Sequence, residues 1–179
     1  HASTEGVTRF CEQNVAGYLI NKEIDYLSQA TVNPQTPFFA ILGGAKISGK
    51  IDVIQNLMDK VDGLVIGGAM IFTFFKAMGY EIGQSLLEED KIDLAKQILA
   101  DAKAKGVDLI LPETVLVADK FETGAVVKEV DVKEIPADMI GVDVGVTALE
   151  TVKQKLADAK TVVWNGPLGA FEIPEFSKG

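Results

Sequence analysis

The stretch "FFAILGGAKISGKIDVIQNLMD", residues 38–59, decides how the rest of the chain is read. Five apolar residues, 38–42, run without interruption, as a strand buried on both faces does. Gly43 and Gly44 then break the run. From about Gly49 to Asp59 the apolar residues recur at helical spacing, with Ile51, Ile54, Leu57, Met58 and then Val61 supplying a stripe and Ser48 placed as an N-cap. The unit is strand, glycine turn, helix. Read from Gly44 it also matches the phosphate-binding pattern G-x-x-x-x-G-K, except that Ile51 stands where that pattern needs a Ser or Thr hydroxyl for Mg²⁺. Because Ile51 belongs to the apolar stripe, no metal-binding hydroxyl is expected there. The match to the pattern is coincidental, and any phosphate chemistry must come from the glycines and lysines themselves.

Working outward, the same unit recurs. "GLVIG" (63–67) reads as a strand followed by the apolar helix "GAMIFTFFKAMGY", which ends near Gly79. "EEDKIDLAKQILADAKAKG" (88–106) is an amphipathic helix closed by a glycine, and "DLIL" (108–111) is the next strand. "VLVAD" and "AVVKEVDV", within 115–132, are expected to form an antiparallel pair. "MIGVDVG" (139–145), a helix over about 147–158 and the strand "TVVW" (161–164) are expected to restore the alternation. Upstream, "TRFCEQNVAGYLINKEIDYLSQA" from Thr8 to about Ala30 reads as one long helix despite Gly17, ended by "VNPQTP". Strands alternating with helices predict an α/β fold: a doubly wound, mainly parallel, Rossmann-like sheet with helices on both faces and a small antiparallel insertion.

Composition narrows the partners. The 179 residues are 47% hydrophobic and 24% charged, an ordinary globular mix. Net charge is −9 and Arg9 is the sole arginine, which argues against a nucleic-acid surface. A small anionic ligand is still compatible, since a local lysine pair acts within an acidic protein. The uncharged run at 63–75 is shorter than the roughly 20 residues a membrane-spanning helix requires, and no membrane partner is expected. The single cysteine, Cys11, excludes an intrachain disulfide and fits a reducing cytoplasm. One His and one Cys cannot build a Cys/His metal cluster, and a serine triad would need His1 as its base. The dinucleotide fingerprint G-x-G-x-x-G is absent, which weakens an oxidoreductase reading.

Ligands of open α/β sheets bind where loops leave the carboxyl ends of strands. Three strands here feed glycine turns: "ILGGAK" (41–46), "VIGGAM" (65–70) and "VWNGPLGAFE" (163–172). One such turn is explained by tight packing; three on one sheet edge point to a binding crevice. Lys46 and Lys50 lie four apart at the start of a helix, where backbone N–H groups and the helix dipole favour an anion. By contrast, Glu88 and Glu89 are expected to compensate the dipole at a helix start. Asp90, Asp93 and Asp101 are expected to form a solvated face.

These turns are specific enough to name a resemblance. "FFAILGGAKISGKIDVI", "GLVIGGAMIFTFFKAMGYEIG", "VVWNGPLGAFE" and the opening "HAST" resemble phosphoglycerate kinases in order and spacing over the whole chain. The resemblance implies reversible phosphoryl transfer between ATP and 3-phosphoglycerate, giving ADP and 1,3-bisphosphoglycerate, with Mg-ATP or Mg-ADP as the nucleotide. It implies that Lys46 stabilises the phosphoryl group in transfer and that Lys50 binds nucleotide phosphates. Gly44, Gly67 and Gly68 would line the nucleotide cleft, with Gly145 and Pro167 near the adenine. Asn165 and Gly166 would approach the phosphates, and Glu172 would accept hydrogen bonds from ribose hydroxyls. Trp164 is expected to be a core residue. The family often carries a third glycine at the second turn, where this chain has Ala69.

The resemblance also sets expectations for organisation. Residues 1–30 would be the end of an N-terminal domain and the interdomain helix. Residues 31–179 would be a nucleotide-binding domain truncated at its C-terminal end. The chain opens on His1 without Met and stops at "PEFSKG", so a fragment is expected, inactive alone. The metal would be held through the nucleotide and an Asp beyond Gly179, with no metal site in the chain itself. A monomeric, cytoplasmic enzyme is the family expectation. The alternatives are a nucleotide-binding module without catalysis and, less favoured, a dinucleotide-binding oxidoreductase domain.

Overall fold

The computed structural model describes residues 2–179, so the candidate base His1 lies outside the described residues. The chain divides into two compact units, residues 1–34 and 35–179. In the first, short helical turns at Ala2–Gly6 and Val7–Phe10 are followed by an irregular stretch, and helix α1 spans Tyr18–Val32. The continuous helix expected from Thr8 is therefore not formed. Gly17 takes an extended conformation (φ −71°, ψ 162°) and stands as the N-cap of α1, so the apolar spacing that crosses it is not one helical face. Within its own unit α1 buries no residue; Tyr18, Leu19, Ile24 and Leu27 are all exposed.

The second unit is built on the opening stretch. Strand β1 (Phe38–Leu42) is buried along its whole length and leads into helix α2 (Ile51–Met58). Then come β2 (Gly63–Ile66), α3 (Ile71–Ala77), α4 (Ile92–Lys105) and β3 (Asp108–Ile110). A meander of β4 (Thr114–Ala118) and β5 (Val127–Asp131) precedes β6 (Ile140–Val144), α5 (Val146–Leu156) and β7 (Thr161–Asn165). Four strands form a parallel sheet in the order β3-β2-β1-β7.

Side chains alternate across a strand, and here both faces are covered. Phe38, Ala40 and Leu42 of β1 join a large cluster with Ile54 and Leu57 of α2, Ile71, Phe72 and Phe74 of α3, and Ala95 and Ile98 of α4. Phe39 and Ile41 point the other way, to a cluster packed against Leu149, Val152 and Leu156 of α5. The doubly wound α/β reading holds. Gly106, at φ +71°, ends α4 in the left-handed region as its position required.

Two local expectations differ. Strand β6 does not rejoin the parallel sheet; it pairs antiparallel with β4, giving a second sheet of order β5-β4-β6. A short apolar run followed by a helix looks the same in either pairing, so only tertiary contacts choose between them. Here the ring of Phe72 lies directly over the Cα of Gly141, and the Gly141 N–H donates to the buried Ser85 hydroxyl at 2.8 Å. Ser48 does not cap α2 either: Lys50 occupies the N-cap position, and no side chain caps that terminus.

Candidate nucleotide cleft

Strands β1, β2 and β7 are neighbours, so their carboxyl ends deliver the three glycine turns to one place. The turns are bonded to each other backbone to backbone. Gly43 N–H donates to Asn165 carbonyl at 2.9 Å, Gly67 N–H to Leu42 at 2.8 Å, Gly68 N–H to Leu168 at 2.9 Å, and Met70 N–H to Gly44 at 3.1 Å. Two glycines are required by this contact. A Cβ on Gly43 would press on the Pro167 carbonyl and sit 2.7 Å from that of Gly166. Gly68 lies at φ +69°, and a Cβ there would press on the backbone of Gly44.

Beside these turns opens a cleft of about 460 Å³. Gly44, Gly68, Pro167 and Glu172 line it, as does Ala69, the residue standing in place of a third glycine. Its other walls are mainly apolar, from Leu86, Phe121, Ile140, Gly141 and Val142, with Gln84 a polar exception. A mostly apolar cleft with a few polar groups at its rim suits a planar base with a polar tail. Phe121 is 58% exposed and its ring lies 5.6 Å from that of Phe176, which anchors it at the cleft's edge. Neither Phe121 nor Leu86 carried a sequence signal. Gly141 did, since a glycine inside a strand pattern marks close approach of other atoms.

Lys46 and Lys50 follow Gly44 and Ala45 in the chain; neither lines the cleft, though the Lys50 side chain passes beside Gly44. Lys46 is exposed, and no side-chain hydrogen bond or ion pair engages it among the described residues. Lys50 is half-buried at the N-cap of α2, where its ammonium donates to Asn165 Oδ1 from the neighbouring turn. With no side-chain cap, the N-terminus of α2 presents backbone N–H groups beside both charges. Gly166, at φ +88°, backs onto Gly43, and Gly67 packs against Leu168 rather than facing the cleft.

The structure does not bring Gly145 to this site. A Cβ on Gly145 would meet Thr114 and lie 2.6 Å from Glu129 Oε1, and Gly145 does not line the cleft. The N-terminus of α5 that it caps already holds an anion of the chain's own. Glu129 Oε1 accepts from the Thr114 hydroxyl at 2.6 Å and from Thr147 N–H at 2.9 Å. Burial works against that carboxylate, but the bonds from Thr114 and the α5 amides outweigh it and hold its pKa below the ordinary value. The glycine that β6 contributes to the cleft is Gly141.

Behind the cleft, buried Asp143 ties the chain's last residues to β6. Its carboxylate accepts N–H bonds from Val144 at 2.8 Å, Lys178 at 2.6 Å and Gly179 at 2.8 Å. Burial nevertheless pushes its pKa up, against the opposing pull of those amides. Trp164 is 58% exposed on edge strand β7, with its indole N–H donating to the Gly166 carbonyl at 2.8 Å, so it is not the core residue expected. No group of three or more His, Cys, Asp or Glu that could hold a metal occurs among the described residues. No helix of the described residues is long and apolar enough to cross a membrane.

The family model described as phosphoglycerate kinase matches residues 1–179. The phosphoglycerate kinase of Chloroherpeton thalassium is 55% identical over 179 residues, which cover 100% of this chain and 45% of that protein. The chloroplastic phosphoglycerate kinase of Volvox carteri is 56% identical, covering 100% of this chain and 39% of that protein. Among solved structures, phosphoglycerate kinase from Coxiella burnetii superposes with a TM-score of 0.90 at 43% identity, over 99% of this chain and 46% of that one. The chain thus spans less than half the length of the relatives it matches.

Proposed function

The chain belongs to the phosphoglycerate kinase family, and from that premise we propose that it supplies the nucleotide side of an enzyme transferring a phosphoryl group between ATP and 3-phosphoglycerate. The observation that carries this reading is the convergence of three glycine turns on one mainly apolar cleft, with the Lys50 side chain beside Gly44 at its edge. The base would occupy the pocket between Gly68, Gly141 and Pro167, with Glu172 at the ribose. The phosphates would run past Gly44 towards Lys46, Lys50 and the open N-terminus of α2. Asn165, already bonded to Lys50, would keep that lysine aimed at them.

Transfer of this kind asks for positioning and neutralisation of charge far more than for acid–base chemistry. Lys46 would neutralise charge on the moving group, and Lys50 would hold the phosphates that stay. Magnesium arriving with the nucleotide would supply positive charge against the phosphates. The chain's described residues offer no group of three or more carboxylates to hold it.

Residues 1–30 would connect to an acceptor domain and residues 31–179 would form most of the nucleotide-binding domain. The chain carries one arginine and one histidine, few groups of the kind that grip a phosphate and a carboxylate together. The chain alone is therefore proposed to bind Mg-ADP or Mg-ATP without turnover, and the full-length kinase to work as a cytoplasmic monomer with no nucleic-acid or membrane partner. Two measurements test the reading. In the full-length protein, Lys46→Ala should lower kcat by roughly 10²–10³-fold, the range seen when a single charge-stabilising donor is removed. An unchanged kcat would sink the role of Lys46. Titration calorimetry of this chain should show Mg-ADP binding, and turnover by the chain alone would contradict the division of labour.

A further inference from the structure

We infer that Glu88 is a positioning residue that holds the lysine turn in register for the phosphates. The inference rests on the nucleotide reading above and adds to it a residue from outside the three glycine turns. Glu88 was expected to face its own helix start; instead its carboxylate reaches across to residues 40 positions earlier. Oε1 accepts the Ser48 hydroxyl at 2.5 Å and Oε2 accepts the Ser48 N–H at 3.2 Å.

The anchor is itself anchored. Glu88 is half-buried, and its N–H donates at 3.3 Å to the hydroxyl of Thr73, which is 1% exposed in the core of α3. Ile47, the neighbour of Ser48, is wholly buried. The segment between Lys46 and Lys50 is thus held at two adjacent points: Ile47 by the core and Ser48 by the carboxylate. At its far end Lys50 is held by its N–H bond to the Ile47 carbonyl at 2.9 Å and by Asn165, whereas Lys46 has no side-chain partner among the described residues. Lys46, with no partner of its own, extends from the backbone that Ile47 and Glu88 fix, and Lys50 is aimed in addition by Asn165. A carboxylate in that position also costs something, because it lies near where phosphates would bind; its persistence is explained if the ordering outweighs the repulsion.

The test uses Glu88→Ala, Glu88→Gln and Ser48→Ala in this chain. In the unligated wild type, the amide of Ser48 should be protected from hydrogen exchange, and Glu88→Ala should abolish that protection locally. Glu88→Ala should weaken Mg-ADP about tenfold, the scale of a hydrogen bond to a charged group, while leaving adenosine unchanged. Ser48→Ala, at an exposed site that cannot unfold the domain, should give part of the same loss. Glu88→Gln, which keeps an acceptor, should recover part of it. Unchanged exchange at 46–49 would overturn the inference. So would tighter Mg-ADP binding, which would make Glu88 a repulsive neighbour, or an equal loss for adenosine, which would mean a general defect of the fold. Should the wild type bind neither ligand, the nucleotide reading fails on its own, and the exchange measurement still decides the role of Glu88.

Discussion

Gly68→Ala, paired with Gly79→Ala, measures how much the interlocked turns depend on bare backbone. Both glycines lie in the left-handed region, at φ +69° and +86°. An alanine in that region costs about 1–2 kcal/mol whatever surrounds it. At Gly79 nothing lies within 4 Å of the added Cβ, so that cost is the whole effect. At Gly68 the added Cβ presses on the N and O of Gly44 and lies 2.9 Å from its carbonyl carbon. These are backbone atoms, and the Gly68 N–H is also tied to the Leu168 carbonyl at 2.9 Å, so neither side can swing away cheaply. Overpacking of this kind adds about 1–3 kcal/mol, giving a total of about 2–5 kcal/mol at Gly68 against about 1–2 at Gly79. Urea unfolding followed by circular dichroism reads both numbers. Calorimetry should show in addition that Mg-ADP affinity falls for Gly68→Ala and holds for Gly79→Ala. Equal destabilisation by the two substitutions would refute the close approach of the two turns.

Two further outcomes concern the N-terminus of α5. Gly145→Ala should destabilise the domain, because Thr114 must give up its bond to Glu129 to make room, yet leave Mg-ADP affinity unchanged in the folded fraction; a selective loss of affinity would return Gly145 to the adenine site. Glu129 has a lowered folded-state pKa, so its stabilisation is complete above the unfolded value and is lost as pH falls through the folded one. The stability gap between wild type and Glu129→Gln should therefore shrink between about pH 6 and pH 3. Asp143 runs the other way: its pKa is raised, so its contribution grows more favourable as pH falls from that raised value towards the unfolded one. Comparison with Asp143→Asn separates the two, and a pH-independent gap for Glu129→Gln would refute the depressed carboxylate.

What the sequence made legible was local. The units β1–α2, β2–α3 and α4–β3 follow from apolar spacing and from glycines at their ends, and each sits within a few residues of its expected bounds. What it hid was non-local. The partner of β6 depends on Phe72 covering Gly141 and on Ser85 meeting its N–H, contacts 69 and 56 residues away in sequence. The same fact misdirected the choice between Gly145 and Gly141: both belong to "MIGVDVG", and only the sheet pairing says which one faces the cleft. Helix α1 failed for a different reason. Apolar residues recur at helical intervals on both sides of Gly17, but periodicity cannot report that the backbone between them is extended. Glu88 is the sharpest case, because a carboxylate before a helix has a sufficient local explanation and its actual partner is Ser48.

The two lysines of the opening stretch differ in a way that bears on how the proposed phosphate turn would work without the metal-binding hydroxyl. Lys50 is held by Asn165, an uncharged acceptor from the next turn, so it loses freedom without pairing to a carboxylate. Lys46 has no such partner among the described residues and extends from a turn fixed at Ile47 and Ser48. A lysine already ordered loses little entropy on meeting an anion, which suits phosphates that stay bound; an unheld one can follow a group that changes position. Ile51, the residue that spoils the P-loop pattern, stands first in α2 and is half-buried. A hydroxyl there would gain little from the core. The glycines give close backbone approach, the helix start gives N–H groups, and the paired lysines give charge. The proposed division between them predicts that Lys50→Ala acts mainly on nucleotide affinity and Lys46→Ala mainly on turnover. Equal effects of both on affinity would show that the asymmetry of their partners has no functional consequence.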